Sequence, residues 1–296
     1  MPRREPWEAL PEGVRRAVER HTGRVRSATA PEHGRLSEFS ARLETEHGPV
    51  FCKGVRTDRP YASGHRNEVE LAGFLPAAVA PLMLWTIERD GWLLLGSELA
   101  AGQPASLAPG SPDLAAVRGL VVTMAQELTP CPAVARDLTE RWANAPSWSV
   151  LYVNPPGDLD PWAYENIGTL ATLERRLSLA GNTLAHVDLN PGNVLVNGAH
   201  ALAVDWAWAS RGPVWLDPAY LVTRLIAHGH TPKEAEAWAS TIPAFAGASD
   251  DDLTRFAARL SGMWEFVTRT PKAGPMARQL ASVALNWARY RIEGAG

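Results

Sequence analysis

Residues 184–206 read Leu-Ala-His-Val-Asp-Leu-Asn-Pro-Gly-Asn-Val-Leu-Val-Asn-Gly-Ala-His-Ala-Leu-Ala-Val-Asp-Trp. Pro191-Gly192 predicts a turn, and the apolar run Val194-Leu195-Val196 then predicts a short buried strand. Asn197-Gly198 is typical of a hairpin turn, after which Ala201 to Val204 predict the returning strand. The stretch therefore predicts a polar turn followed by a hairpin.

Three polar side chains of this stretch, Asp188, Asn193 and Asp205, form a candidate catalytic group, because the returning strand brings Asp205 back towards Asn193. Mg2+ prefers carboxylate and amide oxygens, so Asn193 and Asp205 are candidate metal ligands, whereas Asp188 can orient an attacking hydroxyl and accept its proton. The spacing His-x-Asp-x-x-x-x-Asn, which begins at His186, matches the catalytic loop of kinases. The alternative is a polar turn whose Asn and Asp side chains satisfy only backbone groups.

The use of lysine in this chain gives a second indication of a phosphate-binding site. The chain has 29 basic residues, of which three are lysines: Lys53, Lys233 and Lys272. Lys53 lies in the apolar run 49–55, which predicts a strand, and a buried ammonium group needs a partner of opposite charge. A compact charge of this kind suits a bound phosphate. The alternative is an edge lysine whose ammonium group reaches solvent.

The partner of Lys53 is expected among the carboxylates of residues 65–75. If this segment is a helix, Glu68 lies on the same face as Leu71, whereas Glu70 lies on another face. Glu68 is therefore the expected partner. The order of these parts along the chain is that of kinases: a lysine on a strand comes first, then a glutamate on a helix, and much later a loop with Asp and Asn.

Composition limits the class of protein. The chain has 296 residues, of which 46% are hydrophobic, two cysteines and a formal net charge of -3. This size allows one large core or two lobes, and the charge argues against a nucleic-acid partner. The N-terminal residues contain no apolar signal segment, and the longest apolar stretch, 71–84, is too short to span a membrane. We therefore expect a cytoplasmic protein without a disulfide framework or a membrane partner.

Secondary-structure signals change along the chain. Residues 1–99 favour strands, with helices at 11–21 and 65–75 and a hairpin around Asp90-Gly91. A segment rich in Ala, Gly, Ser and Pro, 100–112, is typical of a linker. Helices are predicted after it at 113–128, 133–143, 167–180, 217–228, 250–267 and 277–290. The chain is thus predicted to have an N-terminal nucleotide-binding lobe, 1–99, and a helical lobe, 100–296, with the catalytic loop and the acceptor site.

The chain resembles the aminoglycoside phosphotransferase family, a kinase-like group that phosphorylates small molecules. Residues 186–193 resemble its catalytic loop, Val204-Asp205-Trp206 its metal-binding segment, and Trp215-Leu216-Asp217 its following buried-aspartate motif. The resemblance covers residues 30–230. It implies an α+β, protein-kinase-like two-lobe fold with a small β-rich N-lobe and a larger helical C-lobe.

The resemblance also implies a role for each matched residue. These roles are catalytic base for Asp188, Mg2+ ligand for Asn193 and Asp205, phosphate contact for Lys53, support of Lys53 for Glu68, and bracing of the loop for His186 and Asp217. The adenine edge would be read by the Glu98 carbonyl and the Ala100 amide. The phosphate loop would be Glu32 to Ser37, in which Gly34 is the single glycine.

Departures from the protein-kinase pattern concern the substrate. Eleven residues separate Asp205 from Asp217, which is too few for a platform that binds a protein, so a small-molecule acceptor is favoured. Asn190 stands where many kinases carry a cation. Aromatic residues gather at 142–164, in a long irregular insertion, where they would either stack on the acceptor or cover the core.

The sequence thus predicts a phosphotransferase that uses ATP or GTP, with Mg2+, to phosphorylate a hydroxyl of a small molecule such as an antibiotic or other natural product. A metabolic kinase of the choline, homoserine or fructosamine kind and a nucleotide-binding pseudokinase are the alternatives. A metal-dependent hydrolase built on His228 and His230 is disfavoured because no His-Glu-x-x-His motif is present. The sequence makes no prediction of oligomeric state.

Overall fold

A computed structural model of the chain describes residues 4–31, 37–271 and 273–294. The strands are, in chain order, β1 (Val25–Thr29), β2 (Phe39–Thr45), β3 (Val50–Arg56), β4 (Met83–Arg89), β5 (Trp92–Glu98), β6 (Gln103–Pro104), β7 (Thr183–Ala185), β8 (Val194–Asn197), β9 (His200–Ala203) and β10 (Ser210–Gly212). The helices are α1 (Glu12–Thr22), α2 (Ala62–Leu71), α3 (Asp113–Glu127), α4 (Leu138–Trp142), α5 (Trp148–Val153), α6 (Pro161–Arg175), α7 (Leu216–Ala227), α8 (Pro232–Ala239), α9 (Pro243–Ala246), α10 (Asp250–Thr268) and α11 (Pro275–Gly294). Short 3-10 turns lie at Trp7–Ala9, Ala72–Phe74, Pro191–Asn193 and Trp206–Trp208.

The chain folds into two compact units. The sheet unit comprises Met1–Ser106, Pro112–Ala135 and His186–Ala209, and the helical unit comprises Leu107–Ser111, Arg136–Ala185 and Ser210–Gly296. The stretch from His186 to Ala209 therefore belongs to the same unit as the N-terminal strands. The division into lobes at residues 99 and 100 stays a prediction.

The sheet unit is built on an antiparallel sheet with the strand order β1-β2-β3-β5-β4. Side chains along each strand alternate between its two faces. On one face, Cys52 of β3 packs in an apolar core with Val18 of α1. On the other face, Val55 packs with Ala62 of α2. Because Lys53 is two residues from Val55, its side chain shares the face that α2 covers.

The hairpin predicted around Asn197-Gly198 is confirmed as β8 and β9. Its turn lies one residue later than predicted, because Asn197 pairs with His200 and Gly198 takes a φ of 60°. The segment 100–112, predicted as a linker, contains β6, which pairs antiparallel with β8. This part of the chain is therefore held to the hairpin by backbone hydrogen bonds. Its composition alone did not indicate such pairing.

The helical unit has an aromatic centre at Phe256 of α10. Its ring centroid lies 5.5 Å from those of Trp215 and Tyr220, 6.2 Å from that of Trp287 and 6.4 Å from that of Trp142. Aromatic pairs at such distances add to the stabilisation from burial. Within the described ranges, none of the helices has the length and apolar character needed to cross a bilayer.

Several helix boundaries differ from the prediction. The helix predicted at 133–143 begins only at Leu138, because the Asp137 carboxylate accepts a hydrogen bond from Thr139 N at 2.7 Å and caps the helix there. The helix predicted at 167–180 is α6, which begins earlier, with Asp160 as cap and Pro161 at its first position. The helices α5, α8 and α9 were not predicted.

Helix α5 interrupts the predicted irregular insertion at 142–164. Its first turn is bound by the buried Glu174 carboxylate of α6, which accepts hydrogen bonds from Trp148 N at 3.1 Å and Ser149 N at 2.6 Å. The Ser147 and Ser149 hydroxyls also donate to this carboxylate. A carboxylate at a helix N-terminus satisfies backbone donors that would otherwise lack partners. The short helix therefore depends on a residue far away in the sequence.

We expect Gly262→Ala to destabilise the helical unit by about 1–3 kcal/mol, the usual cost of overpacking a core. Gly262 lies in α10 where α5 packs, and an added Cβ would lie 2.7 Å from Trp148 N. The free energy of unfolding from urea titration is the measurement. Gly168→Ala, in α6, is the matched control because its Cβ would approach Tyr152 only to 3.5 Å. Equal stability changes in the two variants would contradict the close-packing argument.

Candidate active site

Lys53 lies between two carboxylates. Its Nζ is 2.7 Å from Glu68 Oε2 and 2.7 Å from Asp205 Oδ1, and its side chain is 10% exposed. Glu68, as predicted, is the helix carboxylate that pairs with Lys53, whereas Glu70 is exposed. Burial alone would lower the pKa of Lys53, but the charges of Asp205 and Glu68 raise it above the usual value. The side chain is therefore a positively charged ammonium group.

The two carboxylates differ in their electrostatics. Burial raises the pKa of Glu68, although the Lys53 charge opposes this shift. For Asp205, burial also acts to raise the pKa, but the charge and hydrogen bond of Lys53 hold it below the usual value. The Asp205 side chain is also more open, at 42% exposed against 12% for Glu68. Asp205 is thus the ionised, accessible carboxylate that a cation can bind.

The backbone brings Asn193 to the strand end that carries Asp205. Val204 N donates to Asn193 O at 2.9 Å, next to the pairing of Val194 with Ala203. Asp205 itself has a φ of 66°, in the left-handed region, and begins the turn Trp206–Trp208. Aspartate tolerates this conformation better than most residues. The hairpin thus gathers the two predicted metal ligands.

Asp188 is oriented by two amide side chains. Asn193 Nδ2 donates to Asp188 Oδ2 at 3.2 Å, and Asn190 Nδ2 donates to Oδ1 at 3.3 Å. The Asn190 amide is itself fixed, because its Oδ1 accepts from Gly192 N at 3.0 Å. Asn190, noted in the sequence only as a departure from kinases, therefore caps the turn and points its N–H groups at Asp188. Since Asn193 uses its nitrogen on Asp188, its oxygen is the atom suited to a metal.

His186 connects the predicted catalytic loop to the returning strand. It is fully buried, its Nε2 lies 3.0 Å from Val204 O, and its Nδ1 lies 3.3 Å from Asp188 N. A carbonyl can only accept, so Nε2 carries the proton and Nδ1 accepts. Burial lowers the pKa of His186 to about 4. Val187, between these groups, has a φ of 68°, which is strained for a β-branched residue.

Ser37 and a residue not predicted from the sequence, His65, form a second polar pair. The His65 ring is 3% exposed, with Nδ1 3.2 Å from Tyr61 O and Nε2 3.1 Å from Ser37 Oγ. Nδ1 therefore carries the proton, and Nε2 accepts from the Ser37 hydroxyl. Burial, followed by the Lys53 charge, lowers the pKa of His65 to about 4. The available signal was its position three residues before Glu68 on the same helix face.

The structure does not test the roles of the other predicted site residues. Glu98 ends β5, where its backbone N donates to Leu82 O at 2.9 Å, and Ala100 follows it half-buried. Asp217 is buried in the first turn of α7, in the helical unit. Gly34 and the rest of Glu32 to Leu36 lie outside the described residues. The roles in adenine recognition, loop bracing and phosphate binding stay predictions.

We expect the stability of the protein to fall as the pH decreases from 6.5 to about 4. His65 and His186 have pKa values near 4 in the folded chain and near 6.5 when unfolded. Within this window the unfolded state binds more protons, so each ring removes up to about 3 kcal/mol from the free energy of unfolding. Urea unfolding at a series of pH values measures the loss.

His65→Asn isolates the contribution of one ring. The difference in unfolding free energy between wild type and this variant should shrink as the pH falls, because the variant has no proton to gain. His200→Asn, at an exposed position, is the matched control and should leave the pH dependence unchanged. A difference that is constant with pH would show that the ring is not held neutral.

Residues 28–257 match the family model described as the phosphotransferase enzyme family. The chain belongs to this family. Its activity class is therefore transfer of a phosphoryl group to an alcohol group of a small molecule. The matched range includes Lys53, Glu68, Asp188, Asn193 and Asp205. No curated protein matches the sequence of this phosphotransferase.

Solved structures share the kinase-like α+β fold of this phosphotransferase. One is a thermostable mutant of aminoglycoside phosphotransferase APH(4)-Ia in a ternary complex with ADP and hygromycin B, with a TM-score of 0.64, 14% identity, and coverage of 96% of this chain and 99% of that chain. Another is amicoumacin kinase hAmiN in complex with AMP-PNP, Ca2+ and Ami, with a TM-score of 0.61, 13% identity and coverage of 96% and 94%. A third is a putative aminoglycoside phosphotransferase from Ralstonia eutropha JMP134, with a TM-score of 0.61, 11% identity and coverage of 95% and 98%. The predicted family and fold class are confirmed.

Two side chains of this phosphotransferase are candidate ligands for a hard divalent cation. Asn193 and Asp205 offer an amide oxygen and a carboxylate, which are ligands that Mg2+ prefers. Among the described residues, no cluster of three or more His, Cys, Asp or Glu side chains could hold a metal by itself. Mg2+ is commonly bound by one or two protein oxygens together with substrate phosphates and water. The residues therefore suit a cation that arrives with a nucleotide.

Proposed function

We propose that this phosphotransferase uses ATP or GTP to phosphorylate a hydroxyl of an antibiotic or related natural product. The observation that carries the proposal is the contact of Lys53 with both Glu68 and Asp205 in the unit that also holds Asp188 beside Asn193. An ammonium group, a carboxylate with an amide oxygen, and a separate aspartate are the groups that phosphoryl transfer needs. A degenerate nucleotide binder would be expected to lack one of them.

Asp188 is the proposed catalytic base. As the acceptor oxygen forms a bond to the γ-phosphorus, its proton passes to the Asp188 carboxylate, and the bond from that phosphorus to the oxygen of the departing nucleoside diphosphate breaks. The two amide donors hold the carboxylate in one orientation, which keeps an attacking hydroxyl aligned. Positioning of this kind is the main protein contribution to phosphoryl transfer.

Lys53, Asn193 and Asp205 are the proposed groups for the phosphates. Lys53 would contact the α- and β-phosphates, with Glu68 holding its ammonium group in place. Asn193 and Asp205 would hold Mg2+, which neutralises charge on the phosphate oxygens when bound. Ser37, held by His65, would lie beside the phosphates, and the Glu98 carbonyl and Ala100 amide would bind the adenine edge.

A natural-product acceptor is supported by similar proteins. APH(4)-Ia is seen with hygromycin B and hAmiN with Ami. In the helical unit, Trp148 is buried and Trp142 lies in the aromatic centre, so core packing accounts for both, whereas Tyr152 and Tyr164 are about half exposed. These tyrosines are therefore the better candidates for stacking on an acceptor. The cytoplasmic location expected from the sequence stays a prediction.

The test incubates the purified protein with Mg2+ and ATP or GTP in the presence of hydroxylated antibiotics and of choline, homoserine and fructosamine. The proposal requires that one antibiotic gains a phosphoryl group, detected by mass spectrometry with equal release of nucleoside diphosphate. Asp188→Asn is the control and should form the product about 10²- to 10⁴-fold more slowly. Phosphorylation of choline, homoserine or fructosamine alone would instead identify a metabolic kinase. Nucleotide binding without transfer to any acceptor would identify a pseudokinase.

A further inference from the structure

Helix α2 lies against the segment that follows Asp205. A Cβ added at Gly64 would lie 3.2 Å from the Ala207 Cβ, so the two backbones approach closely. Nearby, Asn67 is 1% exposed, and its Nδ2 donates to Ala207 O at 3.3 Å and to Ala209 O at 3.0 Å. The helix is therefore fastened to residues 207–209 by buried hydrogen bonds from one side chain.

These hydrogen bonds complete a ring of contacts around Asp205. Glu68, the residue after Asn67, pairs with Lys53, with Lys53 Nζ 2.7 Å from Glu68 Oε2. Lys53 in turn pairs with the Asp205 carboxylate. Asp205 is thus held through its carboxylate by Lys53, and through its backbone by the turn that α2 anchors.

Burial of the Asn67 amide is energetically unfavourable. Among the described residues, its Oδ1 is buried and receives no hydrogen bond. Leaving a buried acceptor unsatisfied is unfavourable, and asparagine also favours a helix interior less than leucine does. An apolar side chain would therefore suit the helix better if packing were the only requirement. The amide is retained for its two N–H donors.

The conformation of Asp205 explains what these donors hold. Its φ of 66° lies in the left-handed region, which aspartate tolerates better than most residues but still adopts at some energetic cost. The turn Trp206–Trp208 begins directly after it. Without the anchor on the carbonyls of Ala207 and Ala209, the backbone of Asp205 could relax. Its carboxylate would then no longer point in one fixed direction.

We propose that Asn67 is a positioning residue for Asp205. By holding the turn after Asp205 against α2, it presets this carboxylate for the divalent cation that accompanies the nucleotide. The inference rests on the proposed role of Asp205 as a metal ligand. Replacing a group that orients a metal ligand typically lowers metal affinity or activity by about 10- to 100-fold.

The test replaces Asn67 with leucine, which has a similar volume but no donor. The Kd of Mn2+ is measured in the presence of AMP-PNP by electron paramagnetic resonance of the free ion. We expect this Kd to rise about 10-fold or more, as for other groups that orient metal ligands. The Kd of AMP-PNP in EDTA should change little, because the Asn67 side chain is buried and its N–H groups donate to the carbonyls of Ala207 and Ala209. Asn67→Ala removes the same donors and is tested instead if N67L does not fold.

Leu71→Ala separates positioning from a general loosening of α2. Leu71 is fully buried on the same helix, so this variant should unfold at a lower temperature but keep the Mn2+ affinity of wild type. If L71A weakened Mn2+ binding as much as N67L, the amide would have no special role and the proposal would fail. Unchanged Mn2+ affinity in N67L would overturn this inference alone. A wild-type chain that binds no Mn2+ with AMP-PNP would overturn the proposed function as well.

Discussion

Replacement of Asp188 by alanine is expected to slow phosphoryl transfer by about 10²- to 10⁴-fold, the contribution of a general base. Nucleotide binding should be nearly unchanged, because the Asp188 carboxylate is held by the amides of Asn190 and Asn193 and has no part in the Lys53 ion pairs. Steady-state transfer and calorimetric titration with the nucleotide measure the two quantities. Asp205→Ala should instead weaken Mg2+-nucleotide binding as well.

Two further variants make the Asp188 prediction specific. Asp188→Asn keeps the shape of the side chain and one of its two acceptor oxygens, so it tests loss of the base with a smaller change to the loop than alanine makes. Asp251→Ala is the matched control because that side chain is 77% exposed and pairs with Arg255 of its own helix. It should transfer phosphate at the wild-type rate. Wild-type transfer by D188A would mean that the base is another residue.

Lys53→Met is expected both to destabilise the protein by about 3–5 kcal/mol and to slow transfer by about 10²- to 10³-fold. The substitution leaves Glu68 and Asp205 next to each other without the cation that both contact. Because Glu68 is much less exposed than Asp205, most of the cost should come from the Glu68 charge. Urea unfolding and steady-state kinetics measure the two effects.

The double variant Lys53→Met with Glu68→Gln separates these effects. Removing the Glu68 charge should restore much of the lost stability, whereas transfer should stay slow because no ammonium group is available for the phosphates. Lys233→Met, at an exposed position on α8, is the matched control and should change neither quantity. Recovery of transfer in the double variant would show that Lys53 serves stability alone.

Much of the fold could be predicted because its signals are local. Asp90-Gly91 predicted the turn of the β4–β5 hairpin, where both residues have positive φ. The apolar run around Lys53 predicted β3, and the helical spacing that separates Glu68 from Glu70 predicted which carboxylate is buried. Turn chemistry and periodicity act over a few residues, so they can be read without knowing the rest of the structure.

Other elements could not be predicted because their partners lie far away in the chain. Helix α5 begins at the Glu174 carboxylate, which belongs to another helix. The strand β6 exists because β8 is beside it, although its sequence is that of a linker. Helix α6, by contrast, carried a local signal in Asp160-Pro161 that the apolar periodicity obscured.

By itself, the sequence predicted the β8–β9 hairpin from its turn residues, the burial of Lys53 beside Glu68 from apolar spacing, and the phosphotransferase family from its motifs. Only the tertiary structure decided that Lys53 also meets Asp205 and that Asn67 anchors the turn after Asp205. The Lys53 and Asn67 contacts span 152 and 140 residues of the chain, so they depend on how β3 and α2 pack against the segment that follows β9. In the sequence, Asn67 is one polar helix residue among many, and packing alone determines where its two N–H groups point.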